Sequence, residues 1–373
     1  MTKQKKLILT GGPSISQKEI NYVMDAIKTG WNDKSYYYMR KFESEFAKYI
    51  GVKYARTTSG GTGALWLGLA ALGIGPGDEV ILPELTYFAC SDVIILLGAK
   101  PVFVDILRDT WCIDPKKIEK AITKKTKAIM PVHFYGNPAE MDEIMQIAHN
   151  HKLYVIEDAC PAVGTMYKGK KPGSFGDVGA FSFQGAKIMV TGFGGMIVTN
   201  DKNLFEKILF LNNHGEDPKK KFWQISVGYS FELPNISCAL GLAQLERIEE
   251  FVAKKRQIFD WYWERLSDMD GISMNSERPH TRSNRWMTSI ILDCDFGIDR
   301  DTFRVKMRDE GVDTRPFFYP ISMFPMYKEQ NTPIAHHVGL NGINLPSGLK
   351  LKEKQVDFVC QKVRKILKSK REI

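Results

Sequence analysis

An α/β fold is expected, with a mostly parallel central sheet flanked by helices on both faces and a smaller α/β unit at the carboxyl end. Three observations predict it. Over the first two-thirds of the 373 residues, stretches with apolar side chains at helical spacing alternate with short apolar runs of strand length. A long helical pattern then covers 236–266, more than an ordinary helix inside a domain. Beyond it, a shorter strand and helix pattern repeats the alternation. The composition, 43% hydrophobic and 25% charged, is that of a chain that buries a large core.

The elements follow in order. SQKEINYVMDAIKTG (16–30) has helical spacing, a Ser/Gln cap region and a stop at Gly30. RKFESEFAKYIG (40–51) reads likewise. Residues 60–78, GGTGALWLGLAALGIGPGD, are a glycine-rich turn, a helix and a stop. EVILP (79–83) is a buried strand, YFACSDVIILLGA (87–99) a helix and KPVFVDI (100–106) a strand. AIMPVH (128–133) is a strand, MDEIMQIAHNHK (141–152) a helix, and LYVIEDAC (153–160) a strand ending in acid. VGAFSFQ (178–184) and GGMIVTN (194–200) are two more strands. After the long helix, WMTSIILDCD (286–295), DRDTFRVKMRDEG (299–311) and the amphipathic 352–370 form the smaller unit. The expected division is a large domain, 1–245, and a small one, 246–373, that includes the linking helix.

Composition narrows the function. No apolar run is long enough to span a bilayer, and the basic start MTKQKKLILTGGP has too short an apolar run for a signal peptide. Six cysteines are scattered without C-x-x-C spacing, which argues against a zinc site or a disulfide framework and fits a reducing cytoplasm. The formal net charge is +9, with basic clusters near Lys124, at Lys219–Lys221 and in the carboxyl-terminal tail. None is interleaved with aromatics in the manner of a nucleic-acid surface. The same field would attract an anionic small substrate such as a nucleotide diphosphate.

Three stretches fall where open α/β sheets bind ligands, at the carboxyl ends of strands. Gly60, Gly61, Thr62 and Gly63 precede a helix, so backbone N–H groups can approach a phosphate. A capped tight turn is the structural alternative. Asp158 closes an apolar strand, where a carboxylate needs a partner, either a helix end, an ion pair or a protonated ring nitrogen. In GAFSFQGAKIMVTGFGGMIVTN (179–200), Lys187 is the one basic residue among apolar and small ones, and Ser182 precedes it. A lysine there is either solvated at a loop edge or held in a pocket for amine chemistry. Tyr87, just after a buried strand, is placed to stack on a ring. Phosphate cup, acid, lysine and aromatic together are the parts a pyridoxal phosphate (PLP) enzyme needs.

At this point the chain resembles the sugar aminotransferases called DegT- or StrS-like, PLP enzymes of aspartate-aminotransferase (type I) fold. The resemblance runs nearly end to end, through FESEFAKYIGVKYA, GGTGAL, ALGIGPGDEVILP, PVHFYG, VIEDA, GSFGDVGAFSF, GGMIVTND, NNHG, GLAQLERIEE and INLPSG. It implies that Lys187 forms the Schiff base and shuttles protons, Asp158 pairs with the pyridinium, and Gly61, Thr62, Gly63 and Ser182 hold the phosphate. Tyr87 matches the stacking ring. The family's members are typically homodimers with shared active sites. Relatives with histidine in place of the lysine act as dehydratases, and this chain keeps lysine.

Four departures stand out. Pro161 occupies the place of a polar residue near the cofactor's phenolic oxygen, leaving Gln184 or a water to serve it. Ser230 replaces an asparagine that reaches across the dimer to the phosphate. Glu232 replaces an arginine, and Gly60 a serine.

The resemblance implies transfer of an amino group from L-glutamate to a nucleotide-linked keto-sugar. RPFFYP and GINLPSG are similar to members that make GDP-perosamine by aminating C4 of GDP-4-keto-6-deoxymannose. A UDP- or dTDP-linked keto-sugar and a Kdo-type keto-octulosonate are the alternatives. His133, Gln184, His214, Arg315 and Tyr319 are candidate substrate contacts, each with a structural role as its alternative. From other classes come a PLP-binding regulator without turnover and a PLP lyase or epimerase. Release of 2-oxoglutarate separates transamination from both.

Overall fold

A computed structural model describes residues 7–293 and 296–368. Cys294 and the last residues of the basic tail lie outside the described residues. Two helices, α1 (Gln17–Thr29) and α2 (Tyr37–Ile50), open the chain. Strands and helices then alternate: β1 (Tyr54–Thr58), α3 (Gly61–Ala71), β2 (Glu79–Pro83), α4 (Ala89–Leu96), β3 (Lys100–Val104) and α5 (Pro115–Ala121). They continue with β4 (Thr126–Ile129), α6 (Met141–His151), β5 (Tyr154–Asp158), β6 (Met166–Tyr167), β7 (Val178–Ser182), β8 (Gly195–Thr199) and α7 (Lys202–Asn212).

Seven of these strands form one sheet in the order β1-β8-β7-β5-β4-β2-β3, parallel except for β8, which runs against both neighbours. Successive strand residues face opposite sides, so each buried strand feeds two cores. Ile81, Ile129, Val155 and Phe181 pack under α2, α6 and α8 (Asn235–Leu245). Val80, Leu82, Ala128, Ile156 and Ala180 pack under α3, α4 and α7. The expected two-sided covering follows from this alternation.

The long helix expected over 236–266 is two helices, α8 and α9 (Ile248–Leu266). The break falls at Glu246 and Arg247, whose side chains are both drawn to the start of the chain. Glu246 pairs with Lys18 at 2.6 Å and accepts from the Tyr22 hydroxyl. Arg247 bonds Glu19 at 2.7 Å and the Ser14 hydroxyl at 3.2 Å. Glu19 also closes the capping box of α1 with Ser16. Burial works against the ionised Glu19, but the Ser16 hydroxyl and Arg247 outweigh it and hold its carboxyl down at about 2.

The remaining elements are β9 (Ile272–Met274), β10 (Thr281–Arg282), β11 (Ser289–Leu292), α10 (Arg300–Asp309), β12 (Arg315–Pro316), α11 (Pro333–Asn341), β13 (Gly342–Asn344) and α12 (Glu353–Lys368). An antiparallel sheet, β12-β13-β11-β9, shares a third core with α9, α10 and α12, built on Ile258, Tyr262, Phe303 and Val359. Asp105, just past β3, accepts the Ile334 and Ala335 N–H groups and so caps α11 from the large sheet.

Candidate active site

The carboxyl ends of β2, β4, β5 and β7 open into one cavity of about 520 Å³, closed opposite by residues around β12 and β13. This is where a mostly parallel sheet should bind a ligand.

Asp158 ends β5 and is buried, with no cation paired to it among the described residues. Its carboxylate accepts the Cys160 backbone N–H and the Cys90 thiol, each at 3.0 Å. About four acceptor positions exist on a carboxylate, so capacity remains toward the cavity. Burial, reinforced by the Asp158 charge, pushes both thiols well above the ordinary cysteine value. They therefore stay protonated donors. The neighbouring Glu157 faces the other side of the strand and accepts the Gly173, Phe175 and Gly176 N–H groups.

Lys187 lies in the loop between β7 and β8, half-buried at the cavity. Its Nζ stands 4.1 Å from the centre of the Trp286 ring, a cation–π contact. The indole Nε1 donates to the carbonyl of Ala186 at 2.7 Å, anchoring the ring to the lysine's own loop. Burial lowers the Lys187 pKa from the ordinary lysine value, against the pull of Asp158. A larger neutral fraction makes a better nucleophile.

The start of α3 has no side-chain cap, because Gly60 supplies none, and Gly61 and Thr62 line the cavity. Its first N–H groups are open to an anion. A Cβ on Gly61 would sit 2.6 Å from Cys160 Sγ and 2.9 Å from Ser182 Cβ. Glycine there lets the helix end approach the strand ends. Tyr87 lines the cavity with its ring partly exposed, and Ser182 ends β7 beside it.

Of the expected residues, the fold thus gathers Gly61, Thr62, Tyr87, Asp158, Ser182, Gln184, Lys187 and Arg315 around one space. Gly63, further along α3 and against Phe231 and Ser59, does not line it. His133 does not reach it either. Its ring is fully buried, with Nε2 bonded to Glu157 at 3.0 Å and Nδ1 accepting from the Ala139 N–H at 3.1 Å. Both ring nitrogens are engaged away from the cavity. His214 is exposed in a turn after α7, Ser230 is exposed, and Tyr319 accepts from Arg300 at 2.8 Å; none of the three lines this cavity. The Glu232 departure has a partner, since Glu232 pairs with Arg56 on β1. Pro161 lines the cavity, and its carbonyl accepts from the Asn284 side chain at 2.9 Å.

Several lining residues escaped the sequence reading: Cys90, Tyr135, Trp286, Met287, Phe318 and Asn344. Cys90 had a signal, being three residues after Tyr87 in a helical run and so on the same face. Trp286 and Asn344 had none, because tertiary folding alone brings them there.

The residues fit the cofactor expected from the sequence. The chemistry of the donor set matches its parts: an uncapped helix end with serine for a phosphate, a buried unpaired carboxylate for a ring nitrogen, an exposed aromatic face, and a lysine amine.

Comparison with known proteins agrees. The model of the DegT/DnrJ/EryC1/StrS aminotransferase family matches residues 13–364. A GDP-perosamine synthase of Escherichia coli O157:H7 is 42% identical over 96% of this chain and 98% of that protein. One of Caulobacter vibrioides is 40% identical over 96% and 98%. The crystal structure of DesI in the presence of its TDP-sugar product superposes with a TM-score of 0.91 at 28% identity, covering 99% of this chain and 95% of that one. The chain belongs to the DegT/DnrJ/EryC1/StrS aminotransferase family and is a PLP-dependent sugar aminotransferase.

Proposed function

We propose that the chain moves the amino group of L-glutamate onto C4 of GDP-4-keto-6-deoxymannose, supplying an amino sugar for surface polysaccharide. The observation that carries this reading is its similarity over nearly the whole length, at 40–42% identity, to two GDP-perosamine synthases. The formal charge of +9 favours an anionic nucleotide sugar.

When bound, the cofactor supplies an electron sink for the carbon that loses its proton. Lys187 Nζ is the group that takes that proton and returns it, and its lowered pKa suits both tasks. Asp158 holds the proton on the ring nitrogen, while the Cys90 thiol and Cys160 N–H keep its carboxylate aimed. The N-terminus of α3 and Ser182 hold the phosphate, and Tyr87 covers the ring face. Arg315, on the opposite wall, is the cation placed for a donor carboxylate or a sugar diphosphate.

The enzyme works as a cytoplasmic homodimer with shared sites, in which Ser230 serves the neighbouring phosphate. Phe193, at the cavity and 73% exposed, supports a covering second copy, as do exposed Trp31, Phe222 and Trp223. The domains divide at 245/246.

The test is the visible spectrum of the PLP-loaded protein on adding L-glutamate alone. The band of the lysine-bound cofactor should give way to that of pyridoxamine phosphate, with 2-oxoglutarate released. GDP-4-keto-6-deoxymannose should then restore the first band faster than UDP- or dTDP-keto-sugars or a keto-octulosonate. A loaded protein that ignores glutamate would overturn the donor. Faster restoration by another acceptor would overturn the sugar.

A further inference from the structure

Lys255, on α9, is buried at 5% exposure, and no carboxylate pairs with it among the described residues. Its ammonium donates to two backbone carbonyls, those of Trp286 at 2.8 Å and Ser347 at 2.6 Å. Burial holds its pKa down at about 7. A cation buried on neutral acceptors is costly, so what it holds matters.

It holds Trp286 from behind. The Trp286 N–H donates to the Asn284 side chain at 2.9 Å, its Nε1 to Ala186 at 2.7 Å, and its carbonyl takes the Lys255 bond. The ring then has the Tyr135 ring edge-on at 5.7 Å and Lys187 Nζ over its face. Two lysines therefore stand on either side of one tryptophan, one at its carbonyl and one at its ring. The charged groups nearby are otherwise engaged. Arg256 and Arg285 bond Glu277, at 2.7 Å and 3.5 Å. On the Ser347 side, Thr10 accepts the Ser347 N–H and itself bonds Asp313 at 2.7 Å.

We propose that Lys255 is a positioning residue for amino transfer: by fixing the Trp286 main chain it fixes the indole against which Lys187 stands. This rests on the reading of Lys187 as the reacting amine. The ring then limits where the Lys187 amine can swing between taking and returning its proton.

The test uses PLP-loaded enzyme carrying Lys255→Met, Trp286→Phe, or both. Lys255→Met should lower kcat for 2-oxoglutarate release by about ten- to a hundredfold, with the KM for glutamate within about twofold. The pH midpoint of the cofactor's visible band should also move. In the Trp286→Phe background, Lys255→Met should cost little more, because the link it serves is already cut. Lys255→Gln, whose amide keeps N–H donors without the charge, should recover part of the loss, and it replaces the methionine variant throughout if that variant does not fold. Wild-type kcat and band in Lys255→Met, or equal losses in both backgrounds, would overturn the proposal. A wild-type protein that binds PLP but ignores glutamate would instead overturn the donor, and Lys255 is then judged by the band alone, an unmoved midpoint counting against it. No visible band in the wild type would overturn both readings.

Discussion

The two walls of the cavity differ in kind. The sheet-side wall carries Asp158, Lys187, Ser182, two protonated thiols and the open end of α3. The facing wall carries Trp286, Met287, Pro316, Phe318, Asn344 and a single charge, Arg315. One wall is a set of polar groups, with the Asp158 carboxylate held by two defined hydrogen bonds and the Lys187 amine by a ring, and the other is mostly surface and shape. Proton and amine chemistry needs the first, because small displacements of such groups are costly. Choice among acceptors needs the second, because shape discriminates among sugars that share one reactive ketone.

Removing the amine should break the sheet-side wall's role most completely. Lys187→Ala is expected to lose at least about 10⁴-fold in kcat, since proton transfer and covalent attachment go together. Release of 2-oxoglutarate measures it, and substantial residual turnover would move the base elsewhere. Asp158→Asn should follow, with a loss of about 10²–10³-fold, the usual cost of one preorganised electrostatic group. Its binding of PLP, titrated by absorbance, should weaken as well.

A change on the facing wall should look different. Arg315→Ala is expected to raise KM for donor or acceptor by about tenfold while kcat changes much less, as loss of uniform binding does. A fall in kcat with KM unchanged would place Arg315 among the reacting groups and erase the distinction between the walls. Gly61→Ala tests how closely the sheet-side wall is packed. Its Cβ would meet Cys160 Sγ at 2.6 Å and Ser182 Cβ at 2.9 Å, so about 1–3 kcal/mol of stability and much of the PLP affinity should be lost. A melting curve and a PLP titration read the two effects separately.

The same contrast explains which residues the chain disclosed before it was folded. Asp158 and Ser182 sit at ends of strands whose apolar runs are plain in the sequence, so their place followed from period and fold class. The turn before α3 was legible from its glycines alone, because β1, which leads into it, reads YARTT and has no apolar run. Trp286 and Asn344 come from the far third of the chain, and no local pattern says that the segment before β11 and the end of β13 bring them to the cavity. The helix expected over 236–266 failed for a related reason. Its propensity is continuous, but Glu246 and Arg247 find partners on α1, over two hundred residues earlier. His133 follows a strand, as a site histidine would, but Glu157 next to Asp158 holds its ring on the opposite face.

The last effect expected, on stability rather than on rate, tests the support behind the facing wall. Lys255 has its pKa held at about 7 in the folded chain, below the ordinary lysine value of 10.5. Below pH 7 both folded and unfolded states carry the proton, and the full cost of the buried charge is present. Between about 7 and 10.5 the unfolded state binds more protons than the folded one, so stability rises with pH across that window. The gain is on the order of 2 kcal/mol between about pH 7 and about pH 9 for a single site. Urea unfolding at the two ends of the window should show it, and Lys255→Met should flatten the rise. The direction is opposite to that of Glu19, whose stabilising contribution is lost as pH falls toward its folded value of about 2. A wild-type protein no more stable at pH 9 than at pH 7 would mean that Lys255 keeps its charge in the fold. The carbonyls of Trp286 and Ser347 would then be a better home for an ammonium than burial on neutral acceptors allows.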